Sequence, residues 1–221
     1  WMSTRVSKML PGRPIISLGY MSLKNAYATR HTSDPESRHE WDFSFTNYED
    51  NVFEWVLFLD LDEVGGLATN DIDTVKVAIL DLLSTMPAGR VIIEAFDPEQ
   101  LGNSLSFSFG LGAEGKRIYG DMVYTNSESL DQLLRRTEQH ISFVTQKYLQ
   151  GRYKSITDYN TAAGEVAEPY RILVLFDFPK GFSNTGRWYD GDLYNRISRI
   201  AAVGRSAGVF VFVLTNNSRF F

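Results

Sequence analysis

Two apolar strand-like runs, each ending on a polar residue, dominate the last quarter of the chain. Ile172-Leu173-Val174-Leu175-Phe176 ends on Asp177, and Val209 to Leu214 ends on Thr215-Asn216-Asn217. A helix-length segment over residues 191–203 and the turn Gly204-Arg205-Ser206-Ala207-Gly208 lie between them. Continuous apolar runs of this length suit strands covered on both faces, as in parallel sheets. In open parallel sheets ligands sit in the crevice outside the carboxyl ends of the strands. Asp177, Thr215 and Asn217 are therefore candidate site residues.

A second unit of the same kind precedes it. Trp55-Val56-Leu57-Phe58-Leu59 reads as a strand, and Asn70 or Asp71 caps a helix running through Met86. That helix carries Val75, Ile79, Leu82 and Leu83 at helical spacing, and Pro87-Ala88-Gly89 stops it before a strand at Val91-Ile92-Ile93. Strand, helix and strand at this spacing form a βαβ unit, whose crossover is right-handed. Ser127 opens a long amphipathic helix to about Gln150, with Gly151 as its stop, and a shorter helix spans Ser155 to Ala163. Residues 1–52 read as an irregular arm or linker, with a short strand at Ile15–Leu18 and packing through Trp41, Phe43 and Phe45. The expectation is one α/β unit over residues 53–221, incomplete at its carboxyl end and cut from a longer polypeptide.

Composition excludes several chemistries. Among 221 residues there is no Cys and there are three scattered His, which rules out a thiol nucleophile and disfavours a histidine-rich metal site. No run is long and apolar enough for a membrane helix. The formal net charge of −5 lacks the basic excess that phosphate contacts demand of a free-standing DNA-binding domain.

The phosphate-binding candidates fail in different ways. Gly110-Leu111-Gly112-Ala113-Glu114-Gly115-Lys116 satisfies G-x-x-x-x-G-K, but Arg117 stands where a magnesium-holding hydroxyl belongs. A β-like segment follows it, whereas a working loop opens a helix. Between the strand at Trp55 and the helix at Asp71, Gly65 and Gly66 allow close backbone approach. That stretch holds no lysine, and Asp60, Asp62, Glu63 and Asp71 crowd it with negative charge. It reads as a degenerate loop. Asp177 suits a magnesium-ordering aspartate, yet Phe178 and Pro179 follow it where a water-activating acid would stand. The alternative for Asp177 is a turn cap. Arg205 reads either as an arginine finger acting in a neighbouring subunit or as an answer to helix carbonyls.

Tyr148-Leu149 through Ile156, Tyr159-Asn160, Ala163 through Arg171, and Phe176-Asp177-Phe178-Pro179 carry a resemblance to FtsK/SpoIIIE-like P-loop ATPases, over about residues 53–217. Asp97-Pro98 with Leu101-Gly102, and Gly204-Arg205 before the last strand, fit the same pattern. The resemblance implies a RecA-like, mainly parallel sheet flanked by helices and a cytoplasmic setting. It also implies ATP with magnesium as ligands, partner ATPase domains in an oligomer or tandem ring, and DNA contact only through the larger assembly. The missing lysine-bearing loop and catalytic acid point to a degenerate copy. A noncatalytic interaction scaffold, or an active NTPase using Gly110–Lys116, are the rival expectations.

Overall fold

The computed structural model describes residues 12–24, 52–108, 111, 123–179 and 191–216. Strands β1 (Ile15–Lys24) and β2 (Val52–Asp60) pair antiparallel as a two-stranded ribbon. A single turn, α1 (Leu61–Val64), leads to β3 (Gly66–Thr69), which is followed by α2 (Ile72–Thr85) and β4 (Val91–Phe96). Beyond a 3-10 segment at Asn103–Ser108 come α3 (Ser127–Val144), a π-turn at Thr145–Leu149 and α4 (Ile156–Ala163). Then β5 (Tyr170–Phe178), α5 (Gly191–Gly204) and β6 (Val209–Thr215) complete the core.

The main sheet has the order β3-β6-β5-β4, with every neighbouring pair parallel. The chain crosses from one edge at β3 to the other at β4, then steps back through β5 to β6. Right-handed crossovers in opposite directions place their helices on opposite faces. Accordingly α2 packs on β1, β3 and β6, while α5 packs on β6 and against α3. This is the two-faced burial that the apolar runs require: in β5, Ile172 to Phe176 are all at most 2% exposed. Tyr124 adds a parallel bridge at the β4 edge, its amide donating to Ala95 O and its carbonyl accepting from Asp97 N.

Two sequence expectations are corrected. The strand at Trp55–Leu59 does not lead the parallel sheet; it belongs to β2, in the ribbon. The leading strand is Gly66–Thr69, which carries no apolar run and sits inside the stretch expected to be a loop. Gly65, at φ 78°, caps α1 in the left-handed region and turns the chain into the pairing with β6. Likewise Ile15 opens a strand of 10 residues, longer than expected within an arm read as irregular. It is held by Ser17 N donating to the Asp81 carboxylate of α2 at 2.6 Å.

The other elements follow their local chemistry. Asn126, rather than Ser127, caps α3 through a reciprocal capping box with Ser129. Its buried stripe, including Leu130, Leu133, Leu134, Ile141 and Val144, matches the helical spacing. Asp71 and Ser155 cap α2 and α4.

Candidate functional site

The carboxyl ends of the parallel strands converge on a cavity of about 1050 Å³. Its lining includes Asn70 and Asp71 after β3, Asp177 at the end of β5, and Thr215 and Asn216 at the end of β6. The structure thus brings Asp177 and Thr215 to one rim. Asn217 and the Gly110–Lys116 segment, Leu111 apart, lie outside the described residues.

Asp177 is aimed by a backbone irregularity. Leu175 faces Val213 and Phe178 faces Thr215, so β5 holds one residue more than β6 over this interval. The extra residue makes a β-bulge, and Asp177 occupies the left-handed region at φ 53°. A bulge at a strand end re-aims a side chain, which is the service an active-site acid needs. Beside it the Thr215 hydroxyl, 1% exposed as a residue, donates to Phe178 O at 2.7 Å and ties the two strand ends together.

Asp97, which the sequence offers only as part of the Asp97-Pro98 and Leu101-Gly102 pattern, is not among the candidate site residues. In the structure it is fully buried, and its carboxylate accepts from the amides of Gln100, Gly102 and Ser104 at 3.2, 2.9 and 3.2 Å. A buried carboxylate satisfied by amides fixes the loop that brings Asn103, Ser106 and Phe107 to the cavity. The signal for these residues was available: they follow the end of an apolar strand, where α/β sheets place their ligand loops.

The β3–α2 junction decides what this rim can bind. Only Asn70 and Asp71 separate Thr69 from Ile72. The Asp71 carboxylate accepts from Asp73 N at 3.1 Å, Thr74 N at 3.2 Å and the Thr74 hydroxyl at 2.8 Å. Those hydrogen bonds, the Thr74 hydroxyl first, hold its carboxyl below the usual carboxylate range. A helix N-terminus binds phosphate through free amides and positive dipole. Here two of the first-turn amides, those of Asp73 and Thr74, are engaged by a side chain that already carries the negative charge. Lys76 lines the cavity, but its ammonium is 2.8 Å from Asp73. The described residues of this junction do not fit a magnesium triphosphate. Among the described residues no group of three or more His, Asp or Glu is arranged to hold a metal ion.

Gly65, Gly66 and Arg205 stand at the opposite, amino rim. Gly65 O accepts from Val211 N at 3.2 Å, and Gly66 faces Val211 in the pairing with β6. Arg205 donates from Nη1 to Glu63 O at 2.6 Å, and its Cβ would lie 3.8 Å from a Cβ placed on Gly65. Gly65 and Gly66 therefore share no rim with Asp177: the whole length of β3 separates them. The carboxylates expected to crowd the α2 N-terminus also split. Asp60 pairs with Arg13 at 2.6 Å, and Asp62 accepts from Thr157 and Ser155 hydroxyls at 3.1 and 3.3 Å. Burial raises the Asp62 carboxyl above its ordinary range despite those bonds.

A four-stranded parallel sheet between helical layers, with polar strand ends gathered around a rim crevice, is an α/β architecture of the RecA-like, P-loop kind. One solved structure shares this fold. The cytoplasmic domain of the type VII secretion ATPase EccC from Thermomonospora curvata matches 73% of this chain at 21% identity, with a TM-score of 0.51. That match covers 20% of the EccC chain. The pCW3 conjugation coupling protein TcpA, in a monomer form with ATPgS, matches 72% of this chain and 44% of its own at 16% identity and a TM-score of 0.49. The cytoplasmic domain of EssC matches 75% and 29% of the two chains at 13% identity and a TM-score of 0.46. The chain spans less than half the length of each of these neighbours. No protein-family profile and no curated protein sequence matches the chain. No helix among the described residues is long and apolar enough to cross a membrane.

Proposed function

We propose that this chain is a degenerate FtsK/SpoIIIE-like ATPase domain of a larger, DNA-translocase-related assembly, supporting its organisation or regulation without hydrolysing nucleotide. The observation that carries this reading is the closed β3–α2 junction, where Asp71 caps the amides that a triphosphate would need. Its partners in the proposal are other ATPase domains of a ring or tandem array, and DNA is reached only through them. Asp177 and Thr215 mark the relict rim. Arg205 in this reading braces α1; a trans role requires that Arg205→Ala lower turnover of the intact assembly without unfolding this domain.

Calorimetry with ATP and magnesium tests the reading, together with a phosphate-release assay. The expected outcome is no heat of binding at micromolar concentration and no turnover. Turnover abolished by Asp177→Asn would overturn the proposal at this rim, and turnover abolished by Lys116→Ala would transfer the activity to the Gly110–Lys116 segment.

A further inference from the structure

We infer that a proton on Asp62 sets the direction of a hydrogen-bonded relay through Thr157 and Tyr170, and thereby how firmly residues 12–14 are held on the amino rim. The relay runs from Asp62 Oδ1 to Thr157 Oγ1 at 3.1 Å and on to Tyr170 Oη at 3.1 Å. It ends on Gly12 O, 2.9 Å from Tyr170 Oη. Residues 12–14 lead into β1, and Pro14 O accepts from Leu61 N at 3.0 Å, so this segment ties the β1–β2 ribbon to α1. The inference stands whether or not the opposite rim binds nucleotide.

Counting hydrogens decides the direction. Gly12 O can only accept, so the single phenolic hydrogen of Tyr170 is committed to it. Asn160 is oriented by its Oδ1, which accepts from Ala167 N at 3.0 Å, and its Nδ2 therefore donates to Tyr170 Oη at 3.3 Å. The contact between Thr157 and Tyr170 then needs the hydroxyl hydrogen of Thr157. An ionised Asp62 claims that same hydrogen, and a charged acceptor outcompetes a neutral one. Thr157 and Tyr170 are 5% and 1% exposed, so bulk water does not reach them to make up the shortfall. A protonated Asp62 donates to Thr157 instead, and each hydroxyl then has its own acceptor.

The surroundings of Asp62 favour that proton. Burial raises its carboxyl above the ordinary range, with Asp60 adding to the effect and Thr157, Arg13 and Ser155 opposing it. The other charged groups nearby are Glu63, which faces Arg13, Lys154 and Asp158, exposed beside the α4 cap, and Arg205, bound to Glu63 O. The folded chain holds the proton more tightly than the unfolded one. The relay's stabilisation is therefore present at acid pH and fades as pH rises through the raised value.

Carbon-detected NMR titration of the ¹³C-labelled chain tests the relay. Asp62 Cγ is expected to titrate above the ordinary carboxylate range, and the Gly12 carbonyl carbon to shift with the same midpoint. Thr157→Val, which removes the middle hydroxyl, is expected to abolish the Gly12 shift, and Thr157→Ser to restore it. Asp62→Asn, uncharged at every pH, is expected to leave the Gly12 carbonyl independent of pH. A Gly12 carbon that ignores Asp62, one that follows it equally in Thr157→Val, or an Asp62 midpoint in the ordinary range would each overturn the inference. A Gly12 shift that survives in Asp62→Asn would belong to the Arg13 ion pairs and would overturn it too.

Discussion

The Thr215 hydroxyl donates to the carbonyl of Phe178 at 2.7 Å, joining the ends of β5 and β6 just past the bulge that holds Asp177. Replacing it by Val keeps the shape and removes the donor to a buried carbonyl. Thr215→Val is expected to cost roughly 1–3 kcal/mol, read as a lowered urea midpoint with unchanged slope. A midpoint equal to the parent would show that the bond does not hold the rim.

Asp71 is exposed, and its hydrogen bonds to Thr74 and to the Asp73 and Thr74 amides are made by the carboxylate. Its carboxyl is held below the ordinary value, so its contribution is complete above that value and fades as pH falls through the lowered one. Thermal melts should show Asp71→Ala less stable than Asp71→Asn at neutral pH, because Asn still caps. Asp71→Asn should also lose part of the parent's acid sensitivity. Equal melts for the two variants would remove capping as the explanation.

His140 of α3 is held neutral: burial first, then the charge of Arg171, pushes its pKa from 6.5 to about 4. Glu168 Oε1 lies 3.9 Å away, too far for a strong bond, and Tyr148 donates to the other oxygen of that carboxylate at 2.9 Å. The unfolded chain binds a proton near 6.5 while the folded one does not, so stability falls as pH drops from about 6.5 to about 4. His140→Gln should flatten the melting-temperature profile over that window, and direct NMR titration should find the imidazole pKa well below 6.5. An unshifted titration would refute the buried-neutral assignment.

Gly66 approaches β6 closely enough that a Cβ would stand 2.0 Å from Val211 O. The offending atom is backbone, so the strands themselves must part. Gly66→Ala is expected to cost roughly 1–3 kcal/mol, with faster hydrogen exchange at the Val211 amide. Gly89→Ala is the comparison, because open space surrounds that position and only its left-handed φ of 74° resists the change.

The sequence by itself determined the strands at residues 172–177 and 209–214, the capped helices and the polar strand ends, because apolar runs and caps are local signals. It also determined that no lysine-bearing phosphate loop precedes α2, since that is a matter of which residues are present. Only the tertiary structure decided which strand leads the sheet. Gly66-Leu67-Ala68-Thr69 has no apolar run of its own and becomes a strand through pairing with β6 and cover from α2. The same long-range pairing sent Gly65, Gly66 and Arg205 to the amino rim and left Asp71 and Asp177 at the other. Which end of a sheet a residue occupies depends on strand partners distant in sequence, and periodicity carries no record of them.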